Sequence, residues 1–332
     1  MKARLRYFTP AFLYIWLFIA MDSCMPCSRC DALQSTTSMQ SAPYSNDDLC
    51  QLTTFSNKPQ EIPLARKGLR EISGIAASLQ NKDVLYLHED NGHSNYLYLT
   101  NARGEDLGKL TIAGSYNRDW EDIAIGPGPL PEQSYIYIAD IGDNHAWHHS
   151  MQIYRLPEPV LNTQAASVRK TVKGVEVITL QYPDKPHNAE TILLDPITCD
   201  LYIATKEDDG CRMYVARYPQ STHQKITLEP VITLPFRLVT SGAIASNGLE
   251  IFLRSEDFYW HWQRAEGETV ATALKRRPLQ IVPEIKEPQG EAICFAPDQG
   301  SYFTCSEVHR TQVPTIYLYK KEPTTTALLL RK

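Results

Sequence analysis

Short apolar runs with two-residue alternation recur through most of the chain and predict β-strands. The first kind of run carries a polar or acidic residue at its head in Glu71-Ile72-Ser73-Gly74-Ile75, Asp119-Trp120-Glu121-Asp122-Ile123, Asn188-Ala189-Glu190-Thr191-Ile192 and Gln289-Gly290-Glu291-Ala292-Ile293, with a weaker copy in Val239-Thr240-Ser241-Gly242-Ala243. With the middle residue as register, the anchors are 73, 121, 190, 241 and 291, spaced by 48, 69, 51 and 50 residues. Each anchor is followed by a second apolar run (84–87, 135–138, 201–204, 251–253, 301–304) and a third (96–99, 152–155, 213–216, 258–262, 316–319). A fourth closes the first four units at 110–112, 175–180, 231–234 and 279–282.

Four short strands per unit of about 50 residues, repeated in series, describe an all-β fold, a β-propeller. One four-stranded blade cannot bury both its faces, so blades stack around an axis. Five blades account for the anchors, and a sixth requires a degenerate copy near the N-terminus or in the long gap. A pair of β-sandwiches is the competing architecture. The 69-residue gap predicts an insertion around Pro159–Lys173, between the third and fourth strands of blade two. The last blade takes its fourth strand either from Ala327–Leu330 or from Leu52–Pro63, and the second choice closes the ring.

Several segments carry a resemblance. Ser73-Gly74-Ile75-Ala76, Asn117-Arg118-Asp119-Trp120-Glu121-Asp122-Ile123-Ala124, Ile138-Ala139-Asp140-Ile141-Gly142-Asp143-Asn144 with Ile153–Pro159, and Glu190-Thr191-Ile192-Leu193 resemble a poorly characterised group of secreted bacterial β-propeller proteins. That group is more distantly similar to calcium-dependent propellers of the phytase-like and gluconolactonase-like kinds. The resemblance covers most of residues 68–320 and implies fold and export; it implies little about activity, because fold does not fix function. Ser241 departs from the acidic pattern of the other anchors.

The N-terminus follows another pattern. Lys2, Arg4 and Arg6 precede an uninterrupted apolar run, Ala11–Met21. It is short for a bilayer span and fits a secretory signal. The expected organisation is a signal peptide over 1–32, a polar lead-in over 33–62 and a single propeller over 63–332. The protein is then secreted or periplasmic, and membrane-attached only through an uncleaved signal or a lipid anchor. Cys24, Cys27 and Cys30 belong to the signal tail. Cys294 and Cys305 lie in apolar runs, which suit buried free thiols at least as well as disulfide bridges. Net charge is -5 over 332 residues. No basic footprint points to nucleic acid, and no phosphate-binding glycine loop is present.

In a propeller, the loops entering first strands and those leaving second strands share one face. That joins Glu71, Asp119, Glu121, Asp122, Glu190 and Glu291 with Glu89, Asp90, Asp140, Asp143, Lys206, Glu207, Glu256 and Glu307 at one channel mouth. Crowded carboxylates must be protonated, paired or metal-bound. Oxygen donors in this number suit Ca²⁺, with Glu121, Glu190, Glu291, Asp90 and Asp140 as the ligands. Lys206 and Arg254 offer neutralisation without a metal. His187 and His148 are the candidate proton carriers, the latter in the cluster His145-Ala146-Trp147-His148-His149, which reads otherwise as a transition-metal site or a solvated loop. Trp120, Asp122, Asn144, Lys206, Arg254 and Glu307 are the candidate substrate contacts, although Trp120 also fits packing between blades. Trp260 and Trp262 share one strand face and read as packing. No serine nucleophile elbow is present, so covalent catalysis is disfavoured. The two functional expectations are a Ca²⁺-assisted hydrolase of a phosphoester or lactone, and a non-catalytic propeller binding a small molecule, glycan, peptide or envelope protein.

Overall fold

Each of the repeated apolar runs forms a strand in the computed structural model, which describes residues 39–51, 54–163, 167–309 and 311–322. The first strand, β1 (Gln60–Pro63), precedes blade one, formed by β2 (Ile72–Ala77), β3 (Leu85–Glu89), β4 (Tyr96–Thr100) and β5 (Gly108–Ile112). Blade two contains β6 (Trp120–Pro127), β7 (Ser134–Asp140), β8 (Met151–Pro157) and, beyond β9 (Val168–Val172), β10 (Glu176–Gln181). Blade three contains β11 (Ala189–Leu194), β12 (Leu201–Thr205), β13 (Cys211–Ala216) and, beyond the short β14 (Ile226–Thr227), β15 (Glu229–Leu234). Blade four contains β16 (Ser241–Ile244), β17 (Glu250–Arg254), β18 (Tyr259–Gln263) and β19 (Leu279–Ile281). Blade five contains β20 (Gln289–Phe295), β21 (Ser301–Glu307) and β22 (Thr315–Lys320). Its fourth strand is β1, paired antiparallel to β22 from Gln60↔Leu318 to Pro63↔Thr315. The protein is therefore a five-bladed β-propeller closed by its own N-terminal strand. Ala327–Leu330, the other candidate for that strand, lies outside the described residues, as does the expected signal segment.

Inner strands β2, β6, β11, β16 and β20 neighbour one another in a ring. β2 and β11 are buried along their whole length, because a neighbouring blade covers each face. Toward the rim the blades diverge, and strands such as β5 and β10 alternate between buried and half-buried positions. The core is a series of layers between blades. Trp120, Tyr86 and Ile138 pack between blades one and two. Trp260, Trp262 and Phe236 fill the layer between three and four. Phe252, Tyr302 and Tyr319 fill the next. Cys294 and Cys305 are buried free thiols, which decides between the two alternatives the sequence left open.

The predicted insertion is present and adds a feature that alternation does not encode. Its strand β9 pairs parallel with β5 of the preceding blade, and β14 does the same for β10. The lead-in continues the device: Ser41 bridges to Thr233 and Cys50 to Leu279, both parallel, and Phe55 to Lys321. The outer edges of blades one to four are each covered by a parallel segment, which removes the exposed edges that invite aggregation. Met39–Cys50 thus belongs with the propeller rather than forming a loose leader, and the buried Tyr44 donates its hydroxyl to Leu274 O at 2.9 Å. Among the described residues no helix is long and apolar enough to cross a membrane.

Candidate functional site

The anchor residues sit at breaks in the strand ladders. The register of β2 against β3 shifts between Ile72 and Gly74, so Ser73 is the extra residue of a bulge. The same holds for Glu121 in β6, Glu190 in β11 and Glu291 in β20. A bulged residue is left out of the ladder and its strand bends, which re-aims the side chain. In blade four the ladder begins just past that position: β16 runs in unbroken register from Ser241↔Arg254 to Ile244↔Ile251, and Thr240 N donates to Arg254 O at 2.9 Å. Hydrogen bonds then shift the sequence alignment of this blade by one residue. Ser73 Oγ donates to Trp120 O of the next blade at 2.8 Å, and the equivalent bond in blade four is Thr240 Oγ1 to Gly290 O at 2.9 Å. Ser241 matches Asp122, since each accepts the backbone N–H of the isoleucine following the next blade's bulge, Ile293 and Ile192 respectively.

At the mouth, Asp90, Asp119 and Glu121 bring one carboxylate oxygen each within 4.8 Å of one another. Asp90 lies just beyond β3, where Asn117 Nδ2 grips the carbonyls of Glu89 and Asp90 at 3.0 and 2.9 Å. Asp119 is held by its own amide, which donates to Asp140 Oδ1 at 2.8 Å. Burial, then the charge of Asp90, pushes the Asp119 carboxyl up to about 7. Glu121 is 6% exposed. Burial raises it well above the usual carboxylate range, and Glu190, Asp90, Asp119 and Glu291 all add to the rise. Among the described residues no donor hydrogen-bonds the Glu121 carboxylate. Gly142 is part of this arrangement: a Cβ there would collide with Glu121 Oε1 and the Asp119 carboxylate.

The opposite side of the mouth is paired. Lys206 Nζ lies 2.6 Å from Glu190 Oε2. Burial opposes the Lys206 ammonium, but Glu190 and Glu291 outweigh it and raise its pKa. Glu190 is pushed up to about 8 by burial, against the pull of Lys206. Gln289 Nε2 donates to both Glu291 Oε1 (3.0 Å) and Glu307 Oε2 (2.9 Å). Glu307 is half-exposed, and burial followed by the charges of Glu291 and Asp90 pushes it up to about 8.

Other residues named from the sequence fall elsewhere. Asp140 orients Asp119 and is not part of the three-carboxylate group. Trp120 is fully buried, edge-on to His88 at 5.7 Å, with its indole N–H on Tyr116 O; it packs blades and walls no ligand site. Asp122 is buried one residue past the bulge, where it accepts from Ile192 N, Ile123 N and Ser241 Oγ. It ties blades two, three and four together. Arg254 is fully buried between blades four and five, paired with Glu287 at 3.2 Å and donating to Ala292 O at 3.1 Å. Gly290 leaves room for its guanidinium. Both therefore serve the ring rather than a substrate. His187 is buried with Nδ1 2.7 Å from Glu207 and Nε2 3.0 Å from Asp184. Burial opposes its charge, yet those two carboxylates raise its pKa. Both ring nitrogens are occupied away from the cluster.

His148 lies on an exposed loop at the mouth. Asp143 shapes that loop by accepting the amides of Trp147 (2.9 Å) and His148 (2.6 Å). Asn188 fixes it in turn, accepting from Asp143 N at 2.8 Å and donating to Asn144 at 3.1 Å. His93 was not singled out in the sequence, yet it sits beside Asp90 with Nε2 2.5 Å from Glu71 and Nδ1 3.4 Å from Glu89. Its signal was present: Asp90-Asn91-Gly92-His93 echoes Asp143-Asn144-His145 after the second strands of two adjacent blades.

No protein-family model matches the chain, and no curated protein matches it. Solved structures of similar fold include a gluconolactonase from Xanthomonas campestris (12% identity, 76% of this chain and 72% of that chain, TM-score 0.44). A luciferin-regenerating enzyme matches at 12% identity over 79% of this chain and 95% of that one, TM-score 0.42. A putative 6-phosphogluconolactonase from Bacteroides uniformis matches at 12% identity over 79% and 71%, TM-score 0.37. At these scores and identities the likeness carries no argument about family or activity.

Proposed function

We propose that the channel mouth binds a divalent cation, calcium by its oxygen-only donors, and that the protein is an exported calcium-assisted hydrolase of a lactone or phosphoester. One observation carries the reading. Glu121 is buried among carboxylates without a donor, and a buried unpaired charge is costly unless a cation or a proton meets it. The donors present fit a hard cation that takes six to eight oxygens. Asp90, Asp119 and Glu121 hold the ion, Gly142 makes room for them, and Glu190 and Glu291 complete the negative field. When bound, calcium polarises a carbonyl or phosphoryl oxygen and lowers the pKa of a bound water.

The chain's own groups do the rest. Lys206 neutralises Glu190 and keeps the mouth from excess negative charge. Asp140 and Asn117 fix the loops that carry Asp119 and Asp90. Glu307, half-exposed and raised to about 8, moves the proton. The test is calorimetry of EDTA-stripped protein with CaCl₂. One saturating site, lost in Glu121→Gln, supports the reading; heat-free titration and an unchanged melting temperature sink it. An ester, lactone and phosphatase screen of the calcium-loaded protein then tests hydrolysis. A second reading, non-catalytic binding of a glycan, rests on Trp147, 72% exposed and stacked on His145 at 4.5 Å on the loop fixed by Asp143. Calcium binding without turnover in that screen favours it.

A further inference from the structure

A cavity of about 630 Å³ opens between blades three and four. Its walls are Pro235–Leu238, which leads into β16, and Ser255–Phe258, which leaves β17. These are the same two kinds of connection that carry Asp119 and Asp90, so the cavity opens on the face of the acidic mouth. Its floor is aromatic. Phe236 and Trp260 stack at 4.1 Å with an interplanar angle of 16°, and the half-buried Phe258 lines the side. Leu238, 42% exposed, completes the wall in a left-handed conformation, φ +52°. A leucine adopts that backbone only under strain. Such strain persists where the surroundings impose it and is concentrated at ligand sites.

The rim is acidic on balance: Asp47, Glu256 and Asp257 border the cavity against the single cation Arg237. Lys286 pairs with Asp257 at 2.9 Å, and Arg237 reaches Asp208 at 3.4 Å. Among the described residues neither Asp47 nor Glu256 forms an ion pair. Aromatic faces with unpaired carboxylates at their edge are the environment that favours an organic cation, through the ring quadrupole and through charge.

We propose that this cavity binds a small organic cation with a flat apolar body, of the arylalkylammonium class. The site is separate from the cation cluster and does not rest on the hydrolase reading. The ring packs on Phe258 over the Phe236–Trp260 stack, and the ammonium meets Asp47 and Glu256.

The test is an NMR titration of metal-free, EDTA-treated protein, which leaves the acidic cluster out of the experiment. The reporter is the Trp260 indole N–H, which donates to Asn46 Oδ1 at 3.3 Å on the cavity wall; its signal is assigned by its loss in Trp260→Phe. The probes are phenethylammonium, the neutral 2-phenylethanol and the anionic phenylacetate. Expected is a saturable shift with phenethylammonium at least ~10-fold tighter than 2-phenylethanol, and phenylacetate weakest. The double variant Asp47→Asn, Glu256→Gln erases the preference for the cation, while Phe258→Ala weakens the cation and the alcohol alike. All three positions are exposed or half-exposed, so each variant is expected to melt as the parent does. Equal affinities for the three probes, a preference that survives the double variant, or the absence of a saturable Trp260 shift in folded protein overturns the proposal.

Discussion

At the scale of single residues, the mouth separates groups that hold charge from groups that hold shape. Glu121 belongs to the first kind. Once the raised Glu121 carboxyl of the parent has ionised, Glu121→Gln relieves repulsion among carboxylates, so at alkaline pH the metal-free variant is expected to melt above the parent while losing at least ~10-fold in calcium affinity. Opposite movements of stability and binding distinguish a functional carboxylate from a structural one, and parallel losses would refute the assignment. Gly142→Ala is the shape counterpart. Its methyl group has no space beside Asp119 and Glu121. Calcium affinity should fall in that variant with every ligand still present, as calorimetry against the parent can decide.

Element by element, the first strands show what a sequence pattern reveals and what it hides. The recurring acidic anchors were legible because a bulge places a glutamate at the same point of three inner strands. Glu121, Glu190 and Glu291 were drawn together for that reason, whereas the three-carboxylate group joins Glu121 to Asp90 and Asp119. The bulge itself was not legible, since an extra residue leaves apolar alternation intact on either side of it. The fourth blade, whose Ser241-Gly242 repeats the Ser73-Gly74 of the first, was aligned one residue off. Burial was hidden in the same way. Trp120, Asp122 and Arg254 are residue types that serve ligand sites and interiors equally, and only packing assigns them inside. Arg254 and its partner Glu287 are both buried, with Tyr259, Thr304 and Ser306 donating to the carboxylate. Breaking such a pair from one side strands the other charge. Arg254→Met is expected to cost about 3–5 kcal/mol in chemical denaturation, far more than the loss of an exposed substrate contact. A cost under about 1 kcal/mol would return Arg254 to the mouth.

For the whole molecule, closure and charge act together. The ring is sealed by β1 against β22, and Phe55, fully buried against Phe252 and Tyr302, anchors the segment that leads into it. Phe55→Ala is expected to destabilise the closed ring by about 3–5 kcal/mol, measured by denaturant unfolding. That ring buries carboxylates from different blades and makes them converge, so folding raises their pKa values: Asp119 to about 7, Glu190 and Glu307 to about 8. His187 is raised as well, by its two carboxylates against burial. Groups raised on folding bind more protons in the native state than in the unfolded chain. Their contribution to stability is complete below the ordinary carboxylate range and is lost as pH rises through 7 and 8. The EDTA-treated protein should therefore melt progressively lower between pH 5 and pH 8.5. Calcium should reverse the slope, because the ion replaces the protons and binds more tightly as they leave. Calorimetry in buffers of different ionisation enthalpy should register proton release on calcium binding near pH 7. A melting temperature that rises with pH in EDTA, or calcium binding without proton release, would show that the acidic mouth is neutralised by Lys206 and its neighbours alone.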